Sequence, residues 1–125
     1  MKSPGHQQHP EHKVVEGKLD RRWKVEANGE LVADSTDVIK VEEDGNPPRY
    51  YFPRSDIRMD LLSRTETTSH CPFKGTARYF DIRTQGRDLR DTVWTYEEPF
   101  DEHVALKDRL AFWDEKVPGI AIRPA

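Results

Sequence analysis

The sequence predicts a mainly β domain, mostly antiparallel and with one small helix, on three observations. Apolar residues gather in short runs rich in Val, Ile, Tyr and Trp. Turn signals such as Asn28-Gly29 and the Gln85-Gly86-Arg87-Asp88 stretch separate those runs. No heptad or internal repeat appears. At 125 residues the chain suffices for one core and is too short for two comfortable ones. Hydrophobic and charged residues each make up 34%, so that core is thin and depends on three Trp, four Tyr and five Phe for bulk.

The elements follow in order. Residues 1–13, MKSPGHQQHPEHK, carry three His and two Pro without apolar periodicity, and read as a flexible, solvated arm. Residues 14–125 read as the single β domain. In WKVEANGELVADS the Asn-Gly pair predicts a type I′ hairpin that sets Val25 opposite Val32. DVIKVEEDGNPPRYYF predicts a second hairpin turning between Asp44 and Pro48. Pro53 ends its return strand, and Ser55 caps a short helix to Leu62 with Ile57 and Leu61 on one face. SRTETTSHCP reads as loop, and TARYFDIRT and DTVWTYE as strands. Between His103 and Trp113 the spacing predicts a short helix and then a strand. KVPGIAIRP suits a terminal edge strand.

Composition also removes function classes. The formal charge is −3, from 20 basic and 23 acidic residues interspersed along the chain, so there is no basic stripe to release counterions from nucleic acid. A lone cysteine forms neither an internal disulfide nor a Cys-rich zinc site, and no segment has the apolar length of a membrane span or signal. A cytoplasmic protein without nucleic-acid or membrane partners is the expectation, and no cofactor is expected. His6, His9 and His12 of the arm are spaced to ligate a soft divalent metal only loosely and adventitiously.

Candidate site residues fall in three motifs. In SHCPFKGTARYF, Pro72 and Gly75 demand a turn, and Lys74 offers an ammonium to an anion or to the Cys71 thiol. His70 is a poor base for Cys71, because neighbours in extended backbone point to opposite faces. The segment lacks the glycine spacing and following helix of a phosphate loop. In RYYFPRSDI, Tyr51 supplies an aromatic wall, Arg54 a guanidinium fork and Asp56 a first-turn carboxylate. In VWTYEEP, Trp94 and Tyr96 share a strand face, as a core layer or as the floor of a cleft. Glu97 and Glu98 diverge as strand neighbours and read as solvated charge.

NGELVADS, PRYYFPRSDI, HCPFKGTARYF, VWTYEEP and LAFW, in this order and spacing, resemble the family catalogued as domain of unknown function 427. The likeness runs from about Trp23 to Trp113, and Cys71-Pro72-Phe73-Lys74-Gly75 with Ala77 and Tyr79 is its most specific part. The resemblance implies a compact fold of two antiparallel sheets packed at an angle, akin to the β-tent fold of zinc-bearing Mss4-like and methionine sulfoxide reductase domains. Those relatives bind zinc with paired cysteines, so this one-cysteine chain is expected to hold none. The family is sometimes labelled nucleotidyltransferase-like, yet the paired metal-binding carboxylates after a Gly-Ser turn are missing here.

The leading expectation is a small-molecule-binding domain for an anionic ligand. Its cleft would be walled by Tyr51, Trp94 and Tyr96 and anchored by Arg54 and Lys74, with Asp56 and Cys71 nearby. The alternatives are a transferase or thiol enzyme in which Lys74 activates Cys71, and a structural module that forms a homodimer through a strand edge.

Overall fold

The computed structural model describes residues 1–125. Ten strands run β1 Val14–Lys18, β2 Trp23–Ala27, β3 Glu30–Ser35, β4 Ile39–Glu43, β5 Arg49–Tyr51, β6 Leu62–Cys71, β7 Gly75–Thr84, β8 Arg87–Tyr96, β9 Leu110–Phe112 and β10 Ile120–Pro124. Hydrogen bonding orders them as β1-β4-β5, β10-β2-β3 and β6-β7-β8-β9, with every strand pairing antiparallel. Phe52 continues β5 and exchanges both backbone bonds with Leu110 of β9, at 2.8 and 2.9 Å. That bridge joins the first and third sheets into one long sheet that curls back on itself. Two antiparallel layers result, as the resemblance implies. No helix is long and apolar enough to cross a membrane.

Local chemistry sets the hairpins. Asn28 and Gly29 take φ of 50° and 83°, the left-handed pair that a type I′ turn needs. The register beyond that turn differs from expectation. A bulge at Val25/Glu26 places Val25 opposite Ala33, and Val32 is the extra residue, fully buried. The expected Ser55–Leu62 helix is instead two 3-10 turns, Arg54–Asp56 and Met59–Leu61. Ile57 between them pairs with Ala33 in an isolated bridge, an extended conformation incompatible with a continuous helix.

The stretch expected as loop, Ser63 to Cys71, forms most of the ten-residue strand β6. Its side chains are mostly exposed, so there is no alternation to announce a strand, although Thr65, Thr67 and Thr68 favour one. Between His103 and Trp113 the order is as predicted, with a 3-10 segment, Asp101–Leu106, followed by β9. β10 is the edge strand expected, paired only with β2.

The arm is the largest departure, because it packs rather than lying in solvent. Ser3 caps a five-residue helix, Pro4–Gln8, and its buried hydroxyl donates to the Pro72 carbonyl at 2.8 Å. The Gly5 amide donates to the same carbonyl at 2.9 Å. A Cβ at Gly5 would lie 2.7 Å from that oxygen, so only glycine permits the approach. Polar bonds of this kind carry no apolar periodicity, which is why the sequence pattern hides them.

Strand β8 divides the interior. Val93 faces a core of 13 buried hydrocarbon side chains, including Phe52, Ile82, Leu110 and Phe112, between the β10-β2-β3 sheet and the long sheet. Trp94 and Tyr96 face the opposite way, into a second core with Ile39, Val41, Tyr51, Ala77 and Leu106 inside the curl. Both faces of β8 are therefore buried, and its residues from Thr92 to Tyr96 are all inaccessible.

Candidate functional site

The second core is incompletely filled. A cavity of about 170 Å³ opens between β4, β5, β7 and β8. Its walls include Tyr51, Tyr79, Trp94, Tyr96 and Trp113, and charged groups stand at its margin. Tyr51 meets Trp94 edge-on with ring centroids 6.5 Å apart, and its hydroxyl accepts a hydrogen bond from the indole Nε1 at 3.1 Å. Trp113 stands edge-on to Trp94 at 5.9 Å. The Arg49 guanidinium lies 5.2 Å from the Trp94 ring centroid, within range of a cation–π contact.

Charges in the site occur as pairs. Lys74, only 6% exposed, directs its ammonium to Glu43 Oε1. The other Glu43 oxygen bonds His12 Nε2 of the arm at 2.9 Å. Burial pushes the Glu43 carboxyl up, but the Lys74 ammonium and the His12 ring more than offset it and hold the carboxyl below its ordinary range. Arg49 is bound by Glu115, which also accepts from Trp113 Nε1 at 2.9 Å. The guanidinium is the main reason why the Glu115 carboxyl is held down at about 2.

The phenols behave oppositely. Burial pushes the Tyr51 and Tyr96 hydroxyls far above the ordinary phenol range, so both keep their protons at any physiological pH. Tyr51 accepts from Trp94 and has no protein acceptor for its own proton; Tyr96, 7% exposed, makes no side-chain hydrogen bond at all.

Of the residues singled out by sequence, Tyr51, Lys74, Trp94 and Tyr96 come together here. Arg54 does not. It donates to the Asp108 carbonyl at 2.8 Å and lies over the Phe80 ring, on the other face of the long sheet. Its place is taken by Arg49, five residues earlier, which opens β5 and shares a strand face with Tyr51. Asp56 is also remote and accepts a 2.6 Å hydrogen bond from Ser35. Cys71 packs, half-buried, against the second core, but the Lys74 ammonium that was expected to activate it is engaged by Glu43. Glu97 is held by both terminal nitrogens of Arg64, at 2.7 and 2.8 Å, in keeping with surface charge.

Glu43, Arg49 and Trp113 were missed. A signal for Glu43 exists: Ile39, Val41 and Glu43 share a face of β4, so the carboxylate ends an inward apolar row. Trp113 likewise shares parity with the buried Ala111. The arm histidines do not converge on one point: His6 meets His103 at 2.8 Å between Nε2 atoms, His9 bonds Glu11, and His12 bonds Glu43.

Architecture defines the class: a mainly β domain of antiparallel sheets, in which no group of three or more His, Cys, Asp or Glu is placed to hold a metal ion. The family follows from sequence. The profile of the domain of unknown function DUF427 matches residues 17–122, and the chain belongs to that family. No curated protein matches the chain significantly.

Proposed function

We propose that the protein is a small-molecule-binding domain whose site is the aromatic cavity of the second core. The carrying observation is a void of about 170 Å³ lined by rings and polar groups. Protein interiors pack to crystal density, and an engineered void of about 150 Å³ is enough to take up benzene. A space of this size suits a ligand of about one ring, and a nucleoside triphosphate is too large for it. With Lys74 paired to Glu43 and Arg49 to Glu115, the margin is close to neutral, which removes the electrostatic argument for an anion.

A thermal-shift screen of single-ring metabolites on wild type and Asn46→Trp tests this reading. Asn46 is an exposed residue at the cavity mouth, so an indole there blocks entry without disturbing either core. Compounds that raise the melting temperature of wild type alone are expected, since stabilisation reports binding to the folded state. If every stabilising compound acts equally on Asn46→Trp, or none stabilises, the cavity is not a binding site.

A further inference from the structure

Resting on that reading of the cavity, we infer the chemical class of its ligand: a neutral, planar single-ring compound that presents a carbonyl oxygen to the hydroxyls of Tyr51 and Tyr96.

The inference begins from donors without acceptors. Tyr51 is 1% exposed and Tyr96 7% exposed, and both line the cavity. The Tyr51 oxygen already accepts from Trp94 Nε1 at 3.1 Å, which fixes one lone pair and leaves the O–H free to donate. The Tyr96 hydroxyl has no protein partner, yet its oxygen is not sealed from the cavity. Buried polar groups are normally hydrogen-bonded, and neither phenol proton meets a protein acceptor, so the two hydroxyls facing one small cavity call for an acceptor that the protein does not supply. Their raised pKa values keep both as donors.

Size, shape and charge narrow the acceptor. The volume admits about one ring, and the flat faces of Trp94 and the tyrosines favour a planar one. A carboxylate would satisfy the donors, but it would enter a site whose two cations are already neutralised by Glu43 and Glu115. Its desolvation would then go uncompensated. A carbonyl avoids that penalty and still accepts two hydrogen bonds, one from each tyrosine. An aliphatic or unsubstituted ring leaves both donors unpaired, and a site built to hydrogen-bond a ligand oxygen discriminates strongly against analogues that lack it.

Benzamide, benzoate and toluene, titrated into the full chain by isotope-edited NMR, separate the alternatives. Benzamide is expected to bind at least tenfold more tightly than either of the others. Tyr96→Phe and Tyr51→Phe should each weaken benzamide about tenfold and leave toluene unchanged. Each variant keeps its ring, and an unaltered amide spectrum outside the site verifies the fold. Toluene binding as tightly as benzamide, or benzamide binding unaffected in both variants, overturns the carbonyl assignment while leaving the cavity as a binding site. Tighter binding of benzoate overturns neutrality in favour of an anion held by Lys74. If none of the three perturbs resonances of the cavity residues at millimolar concentration, the inference and the cavity reading fall together.

Discussion

The two cores share strand β8, yet they are built on different terms. The core between the layers is built on 13 buried hydrocarbon side chains, among them the edge-on pair Phe52 and Phe112 with centroids 5.9 Å apart, and only Trp23 and Tyr50 bring polar ring atoms against it. The core inside the curl carries Tyr51, Trp94 and Tyr96, and two ion pairs and a cavity lie at its margin. The larger hydrocarbon core supplies hydrophobic stabilisation that lets the other be left partly open. The difference teaches where substitutions should damage folding and where they should damage binding.

The largest effect should come from the closed core. Phe112→Ala removes a side chain that is 1% exposed, and a loss of about 3–5 kcal/mol is expected in urea unfolding. A loss below about 1 kcal/mol would mean that this core is not the better packed one. Next comes the buried ion pair of the open core. Lys74→Met leaves Glu43 with only His12, and a cost of about 2–4 kcal/mol is expected, because removing one partner strands the other charge. The double variant Lys74→Met/Glu43→Leu should recover at least half of it. If the double variant is as unstable as the single, the pair acts through packing and not charge.

Acid should then act on the open core and its arm. Glu43 is held below its ordinary 4.5, by Lys74 and His12 against the upward push of burial. Its contribution is therefore complete above about pH 4.5 and lost as pH falls through the lower folded value. His6 is also depressed from its ordinary 6.5, first by burial and then by His103, with Glu102 and Glu43 opposing. The His6–His103 contact requires one unprotonated Nε2, so arm docking is complete above about pH 6.5 and weakens below it. Melting temperature between pH 8 and about pH 3 should fall in two steps in wild type, and His6→Gln should remove only the upper one. A single step in both proteins would show that the arm does not titrate separately.

The smallest effect on stability is expected at a residue on which the proposed binding depends most. Tyr96→Phe deletes a hydroxyl with no partner, so unfolding free energy should change by less than about 0.5 kcal/mol or rise. A loss above about 1 kcal/mol would reveal that this hydroxyl is satisfied within the protein, which would erase the contrast between the cores.

Much of this arrangement was legible in the sequence. Asn28-Gly29 and the Asp44–Pro48 turn located two hairpins because glycine and proline constrain backbone directly. Tyr51, Trp94, Tyr96 and Lys74 were found because bulky aromatics and a cation beside a Pro-Gly turn are unusual in so polar a chain. Arg54 was expected at the cavity where Arg49 stands, since Arg49 shares the strand parity of Tyr51, whereas Arg54 lies beyond Pro53 in a 3-10 turn and over Phe80. β6 and the arm escaped for a common reason. Both are fixed by hydrogen bonds, β6 to the neighbouring β7 and the arm to Pro72 far along the chain, and side-chain periodicity records burial, not bonding.

Strand β8 also constrains how the site can diversify. Trp94 and Tyr96 alternate with Val93 and Thr95, so any change of cavity shape made from β8 presses on a backbone that the closed core also grips. The mouth loop carries no such burden, because Asn46 and Pro47 are exposed and touch the cavity without belonging to either buried set, whereas Trp113 packs edge-on against Trp94. An engineer reshaping the cavity therefore has the most freedom in that loop, with the tyrosine floor left fixed.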